Sequence, residues 1–184
     1  MDQARLFRTL HRWRVRAGLV FLPALLLVAR PRPLPVAAGT AVCALGLLVR
    51  AWAAGHIKKE KELAVSGPYR YTRNPLYLGN FLMGLGVGIG TAVWAGLVIF
   101  AAYFLAFYPP VILEERDRMT RLFPAAYADY QKKVPIFLPA VHPYTAAPET
   151  KFSAAQYRKN HEPRALVGAG IIWAILLARM IFKF

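Results

Sequence analysis

The chain has 184 residues, 57% of them hydrophobic, with a mean hydropathy of +0.36, which is too apolar for an ordinary soluble domain and points to a polytopic helical membrane protein. A formal charge of +15 raises nucleic acid as a partner, but the cations gather at the ends of apolar runs rather than along one polar face, which argues against it. The single cysteine, Cys43, lies within an apolar run and excludes an intrachain disulfide and a cysteine-cluster metal site.

Residues 1–16 carry Arg5, Arg8, Arg12, Arg14 and Arg16 against Asp2 alone. A signal peptide is the alternative here, but Arg-Pro-Arg-Pro-Leu-Pro follows Ala29 in place of a small-residue cleavage site. The first span is therefore read as Val15–Ala29, short and interrupted at Pro23, with Arg30–Pro35 as a tight link. Val36–Gly55 is the second span. Arg50 lies near its end, able either to snorkel to the interface or to face the protein interior. His56 and the mixed-charge residues 58–62 then leave the membrane, with His56 read as a headgroup contact.

Residues 66–79, Ser-Gly-Pro-Tyr-Arg-Tyr-Thr-Arg-Asn-Pro-Leu-Tyr-Leu-Gly, concentrate turn formers, aromatics and cations between two apolar runs. Gly67-Pro68 signals a turn, and Pro75 suits the first turn of a helix while biasing Asn74 away from one. Tyr69, Arg70, Tyr71 and Arg73 supply stacking and anion-pairing groups that a plain connector does not need. The alternative is an interfacial connector whose tyrosines sit at headgroup level and whose arginines bind anionic lipid headgroups. Pro75 opens a third span reaching about Gly90, in which Gly84, Gly86, Gly88 and Gly90 form small-xxx-small pairs suited to close helix approach.

A fourth span, Ala92 to about Leu113, must form a tight antiparallel hairpin with the third, and Pro109-Pro110 is expected to break or bend it and open a pocket wall. Glu114-Glu115 follows, read as an acidic helix start or as part of a site, and then an amphipathic region containing Tyr127 and Tyr130, read as interfacial packing. Residues 140–163 form a polar, proline-interrupted surface segment in which His142 and His161 lack ligand-like partners, so no metal site is expected. Ala165–Phe182 is the last span. The expected units are 1–57, 58–140 and 141–184, and the expected fold is an all-α, polytopic membrane helical bundle of about five transmembrane helices.

Lys and Arg concentrate in residues 1–14, 56–74 and 114–164, against Arg30, Arg32, Arg179 and Lys183 on the opposite side. The positive-inside bias thus places the N-terminus, the 66–79 stretch and the glutamate pair on the cytoplasmic face. The third and fourth spans bring the last two together as one catalytic region.

The series Gly67-Pro68-Tyr69, Arg73-Asn74-Pro75-Leu76-Tyr77-Leu78-Gly79, Glu114-Glu115 and Phe123, Tyr127, Tyr130, Val134-Pro135 and Pro139 resembles the isoprenylcysteine carboxyl methyltransferase family, of which phospholipid N-methyltransferases are relatives. The resemblance covers roughly residues 50–140. It implies S-adenosylmethionine as cofactor, with Lys61, Glu62, Leu63 and Ala64 along one edge of its pocket, Tyr69, Asn74, Pro75, Leu76 and Tyr77 along another, and Glu115 closing it. Catalytic roles would fall to Glu114, Glu115 and Arg73, and Arg50 would bind substrate, a membrane lipid or a lipidated molecule. The chain departs from the carboxyl methyltransferases in two places. They usually have histidine where Asn74 stands, and the animal enzymes have a substrate-binding arginine where Val111 stands. Both departures favour an amine headgroup lipid over an isoprenylcysteine carboxylate.

Two other function classes compete. Sterol reductases resemble this family in their C-terminal part and use NADPH, but they have many more spans than 184 residues hold. A non-catalytic scaffold or small transporter explains the hydropathy but not the ordered polar motifs, since no span carries a central acid pair.

Overall fold

A computed structural model describes residues 3–58, 62–146 and 149–183, and among them every regular element is helical. The α-helices are α1 (Gln3–Val28), α2 (Pro33–Ala54), α3 (Pro75–Gly90), α4 (Trp94–Leu122), α5 (Pro124–Lys133), α6 (Ala154–Lys159) and α7 (Pro163–Phe182), with a 3-10 turn at Gly67–Arg70. Each of the five expected spans falls on a helix. By length and composition alone α2, α4 and α7 can cross a membrane. At 16 residues α3 is apolar but short, about 24 Å at 1.5 Å per residue, and α1 begins with the arginine-rich segment.

Three boundaries differ from the sequence reading. Pro23 lies inside a continuous α1, and α2 starts at Pro33, so the link before it is shorter than Arg30–Pro35. The largest difference is in α4, which runs unbroken through Pro109-Pro110 and on past the glutamate pair for 29 residues. Both prolines are exposed on the outer side of the helix, and neither lines a cavity. They remove the amide donors to the Leu105 and Ala106 carbonyls, a loss that membrane helices accommodate. Glu114-Glu115 is accordingly not a helix start. At roughly 44 Å, α4 outruns a hydrocarbon core of about 30 Å, and its last turns project over the end of the bundle.

The tightest packing is between α2 and α3, where glycines let the two backbones touch. A Cβ on Gly86 would lie 2.5 Å from the Gly39 carbonyl oxygen and 2.7 Å from the Cys43 nitrogen. One on Gly46 would lie 2.7 Å from the Gly79 oxygen. The expected glycine stripe of α3 serves two faces: Gly86 meets α2 and Gly90 meets Trp173 of α7, whereas Gly84 and Gly88 meet Phe100 and Leu97 of α4. Phe81, Phe100, Phe104 and Tyr108 fill the space between α3 and α4, with Phe104 and Tyr108 stacked at 4.3 Å.

At one end of the bundle the α1–α2 link meets the α3–α4 turn, Arg30 N donating to Thr91 O at 2.8 Å. At the other end residues 70–74 run beside 134–144. Arg73 N donates to Pro135 O at 2.9 Å, Ala140 N to Tyr71 O at 2.8 Å and Thr72 Oγ1 to Phe137 O at 2.8 Å. The Gly67 φ of +56° suits only glycine comfortably, and a Cβ there would lie 2.7 Å from the His56 ring. His56 is not a headgroup contact but a buried residue, its ring nitrogens 2.8 and 3.2 Å from the Trp52 and Thr150 carbonyl oxygens.

Candidate active site

A cavity of about 420 Å³ lies where α2 ends, α3 begins and the last turns of α4 project. Its wall brings together most of the residues singled out in the sequence. Glu62, Leu63 and Ala64 come from the loop after α2, Tyr69 from the 3-10 turn, and Arg73 through Tyr77 from the entry to α3. Glu115 comes from α4 and Arg50 from α2. Glu114 is not among the lining residues; the wall on α4 is made by Glu115, Arg116, Arg118 and Met119. Lys61 lies outside the described residues.

Local sequence explains how these groups are held. Asn74 has φ −129° and ψ 54° ahead of Pro75 at the first helical position, so α3 starts at the cavity. The Asn74 side chain donates to Ile136 O at 2.8 Å, which locks the Val134–Pro139 motif to the entry of α3. Arg73 donates from Nη1 to Tyr127 Oη at 3.0 Å, and its guanidinium lies 5.8 Å from the centre of the Tyr127 ring. Tyr130 donates its hydroxyl to Tyr69 O at 2.6 Å.

In this wall Tyr69 Oη and Arg73 Nε are buried without a hydrogen-bond partner. Burial pushes the Tyr69 phenol well above the usual tyrosine range, so it stays neutral and able to donate. Arg50 is held through three nitrogens: Nε and Nη2 donate to Glu162 at 2.6 and 2.8 Å, and Nη1 donates to Asn80 Oδ1 at 2.6 Å.

Asn80 also lines a second cavity of about 340 Å³ among α1, α3, α4 and α7. Its walls are apolar, with Leu19, Leu22, Val87, Phe100 and Ile172 among them. The polar and apolar spaces therefore share one wall at the asparagine.

Several wall residues were not anticipated. Arg14 of α1 reaches the polar cavity and sits 5.7 and 5.5 Å from the ring centres of Tyr77 and Tyr108. It gave no local signal, because it reads as one more charge before a span. Asn80 was findable, one turn beyond Tyr77 on the same helix face, as were Arg118 and Met119, one turn beyond Glu115. Tyr127 and Tyr130, read from the sequence as interfacial packing, lie in a buried cluster with Val134, and both line the cavity.

The phospholipid methyltransferase family profile matches residues 44–126, which include the entry to α3 and Glu115. The protein-S-isoprenylcysteine O-methyltransferase of Schizosaccharomyces pombe is 29% identical over 83 residues, 45% of this chain and 35% of that enzyme. The chain belongs to the isoprenylcysteine carboxyl and phospholipid methyltransferase family.

Membership of this methyltransferase family, with three helices able to cross a bilayer, makes the chain an integral membrane helical bundle. Two further relatives carry other names. The cobalt-zinc-cadmium resistance protein CzcN of Cupriavidus metallidurans is 32% identical over 166 residues, 84% of this chain and 76% of that one. The nickel-cobalt-cadmium resistance protein NccN of Alcaligenes xylosoxydans is 32% identical over 113 residues, 60% of this chain and 53% of that one. No solved structure matches the chain. Among the described residues there is no group of three or more His, Cys, Asp or Glu that could hold a metal ion.

Proposed function

We propose that the chain is an S-adenosylmethionine-dependent methyltransferase acting on a membrane lipid or lipid-like acceptor. The observation that carries this reading is the junction at Asn80, where a polar cavity lined by the family's motif residues adjoins an apolar one among the spans. That pairing suits an acceptor with a polar headgroup and a hydrocarbon tail, the tail entering sideways from the bilayer.

The residues fit the cofactor. Tyr69 and Tyr77 with Leu63 form an aromatic and apolar slot suited to adenine. Arg73 and Tyr69 each present a buried polar atom without a partner, one suited to a carboxylate and the other to a hydroxyl or ring nitrogen. When bound, S-adenosylmethionine supplies an electrophilic methyl group on a sulfonium, so in-line alignment carries much of the catalysis. Glu115 places a carboxylate in the cavity wall, where it attracts positive charge.

An amine headgroup lipid matches the charges in the cavity wall. Arg14, Arg116 and Arg118 suit its phosphate, and Glu115 can take the proton that an ammonium must lose before its nitrogen attacks. Glu115 rather than Glu114 takes this role because it faces the cavity. A second reading, an isoprenylcysteine carboxylate, is favoured by Arg14, a cation that can stand in for the arginine missing at Val111. An ionised carboxylate needs positioning and no base.

Calorimetry on detergent-purified protein should detect S-adenosylmethionine and not NADPH. Binding should be weaker in Tyr69→Phe, with no loss of thermal stability in the ligand-free state, because the deleted hydroxyl has no partner to lose. With labelled S-adenosylmethionine, phosphatidylethanolamine and a farnesylcysteine analogue are offered side by side. Methylation of phosphatidylethanolamine supports the amine reading, methylation of the farnesylcysteine analogue alone replaces it with the second, and binding of NADPH alone removes both.

The concentration of Lys and Arg in residues 1–14, 56–74 and 114–164 supports a cytoplasmic site. Single cysteines at Thr145, beside the Arg70–Tyr144 hydrogen bond, and at Arg32, beside the α3–α4 turn, should label from opposite sides, Thr145 from the cytoplasm. Cytoplasmic labelling at Arg32 with external labelling at Thr145 would invert the orientation.

A further inference from the structure

The site so far draws almost wholly on residues 44–130, yet one of its cations is held by a side chain outside that region. Glu162, the residue just before α7, is 6% exposed and makes two hydrogen bonds to Arg50, at 2.6 and 2.8 Å. It lies beyond the matched span of residues 44–126. Glu162 stands at the N-cap position of α7 and makes no cap hydrogen bond; its carboxylate accepts from Arg50 instead.

Its placement is built by several contacts. Asn160 Nδ2 donates to Ala54 O at 2.8 Å and Ile57 O at 3.1 Å, which pins the α6–α7 turn on the end of α2. His161 takes a positive φ of 55° to redirect the chain, and Pro163 starts α7 directly after the glutamate. On the other side Gly79 leaves room for the arginine, since a Cβ there would collide with Arg50 Cγ. The guanidinium is then gripped by Glu162 on one edge and by Asn80 on the other. Of its five N–H donors three are engaged, and the rest remain for a ligand at the junction of the two cavities.

We propose that Glu162 is a positioning residue of this site. Its carboxylate fixes the Arg50 guanidinium, and through it Asn80, in the one arrangement that seats the acceptor headgroup between the polar and apolar cavities. The inference rests on the methyltransferase reading above and extends it: the C-terminal segment completes the acceptor end of the site, while the cofactor end is built without it. A bidentate carboxylate gives an arginine both charge compensation and a fixed plane. Without it the long side chain samples other rotamers, and a displacement of about 1 Å is enough to cost up to about 100-fold in turnover.

The test uses the full chain in detergent, with Glu162→Gln and Glu162→Asp as variants and three readouts. The first is the Nε–H signal of Arg50 in protein labelled with ¹⁵N-arginine, assigned by its loss in Arg50→Lys. It should be dispersed and slowly exchanging in the parent and should broaden or shift in Glu162→Gln. The second is calorimetric affinity for S-adenosylmethionine, expected to stay within about threefold. The third is steady-state methylation, in which KM for the acceptor should rise about tenfold or more in Glu162→Gln and less in Glu162→Asp. If Glu162→Gln does not fold, Glu162→Asp, which keeps the charge but retracts it, carries the same comparison. An unchanged Arg50 signal and unchanged acceptor KM in a folded variant overturn the proposal. So does a loss of cofactor affinity as large as the loss of acceptor affinity, which would mark Glu162 as a general structural support. A parent protein that binds no S-adenosylmethionine overturns the methyltransferase reading instead, and the Arg50 signal still reports whether Glu162 fixes the guanidinium.

Discussion

Glu115→Ala is expected to lower methyl transfer by about 10²- to 10⁴-fold, the range spanned by removal of a positioned acid–base group, and to weaken S-adenosylmethionine binding in the same folded protein. Glu114→Ala is expected to stay within about tenfold, since its side chain is not in the wall of the cavity. The contrast is informative because the two residues are chemically identical neighbours of which Glu115 lines the cavity and Glu114 does not. Initial rates with labelled cofactor, alongside calorimetry and a thermal melt, separate loss of chemistry from loss of fold. Equal losses in both variants would show that the acidity of this helix end matters and the facing carboxylate does not. A larger loss in Glu114→Ala would move the role to that residue.

The second large effect is on the fold itself. Gly86→Leu should prevent accumulation of folded protein, because the new side chain must start 2.5 Å from the Gly39 carbonyl oxygen and 2.7 Å from the Cys43 nitrogen. Neither atom belongs to a side chain that can rotate away, so the helices must separate. Overpacking costs about 1–3 kcal/mol even where side chains can adjust, and backbone collisions belong at or above the upper end. Gly168→Ala and Gly170→Ala in α7 meet nothing within 4 Å and should be tolerated or gain several tenths of a kcal/mol in helix propensity. Size-exclusion profiles and melting temperatures in one detergent compare the three directly. A monodisperse Gly86→Leu that melts like its parent would show that α2 and α3 do not need to touch.

Much of this arrangement was legible in the residues, and the failures have physical causes. The spans announce themselves by apolar length, and Asn74-Pro75 announces the entry to α3 because proline restricts itself and its predecessor in ways no packing can reverse. The end of α4 was hidden because charge was taken to mark a helix boundary, whereas a helix that leaves the bilayer changes solvent without changing conformation. Pro109-Pro110 misled in the same way: the missing donors are real, but on the outer side of a long helix they do not break it. Arg14 and Glu162 were invisible for a different reason. Each enters the site from a part of the chain far away in sequence, through contacts that no local pattern encodes. Arg50 was left between snorkelling and facing inward, and its partner could be named only once the α6–α7 turn was seen to fold back onto α2. The glycines of α3 were read correctly as packers, while their division among α2, α4 and α7 depended on where those helices lie.

The shortness of α3 has a consequence for how such a protein meets its acceptor. Its first turns line the polar cavity and Asn80 adjoins the apolar one, so on the proposed reading the reacting end of the site is recessed toward the hydrocarbon instead of standing above it. Pulling an acyl chain out of a bilayer costs about 0.8 kcal/mol per methylene, which for a sixteen-carbon tail is on the order of 13 kcal/mol, more than most binding sites return. A recessed site avoids that extraction, because the tail exchanges one apolar surrounding for another and only the headgroup changes partners. Encounter then becomes lateral diffusion in two dimensions. The effective concentration of acceptor is its mole fraction in the surface, so apparent affinities should follow surface dilution by detergent or inert lipid and not the bulk concentration.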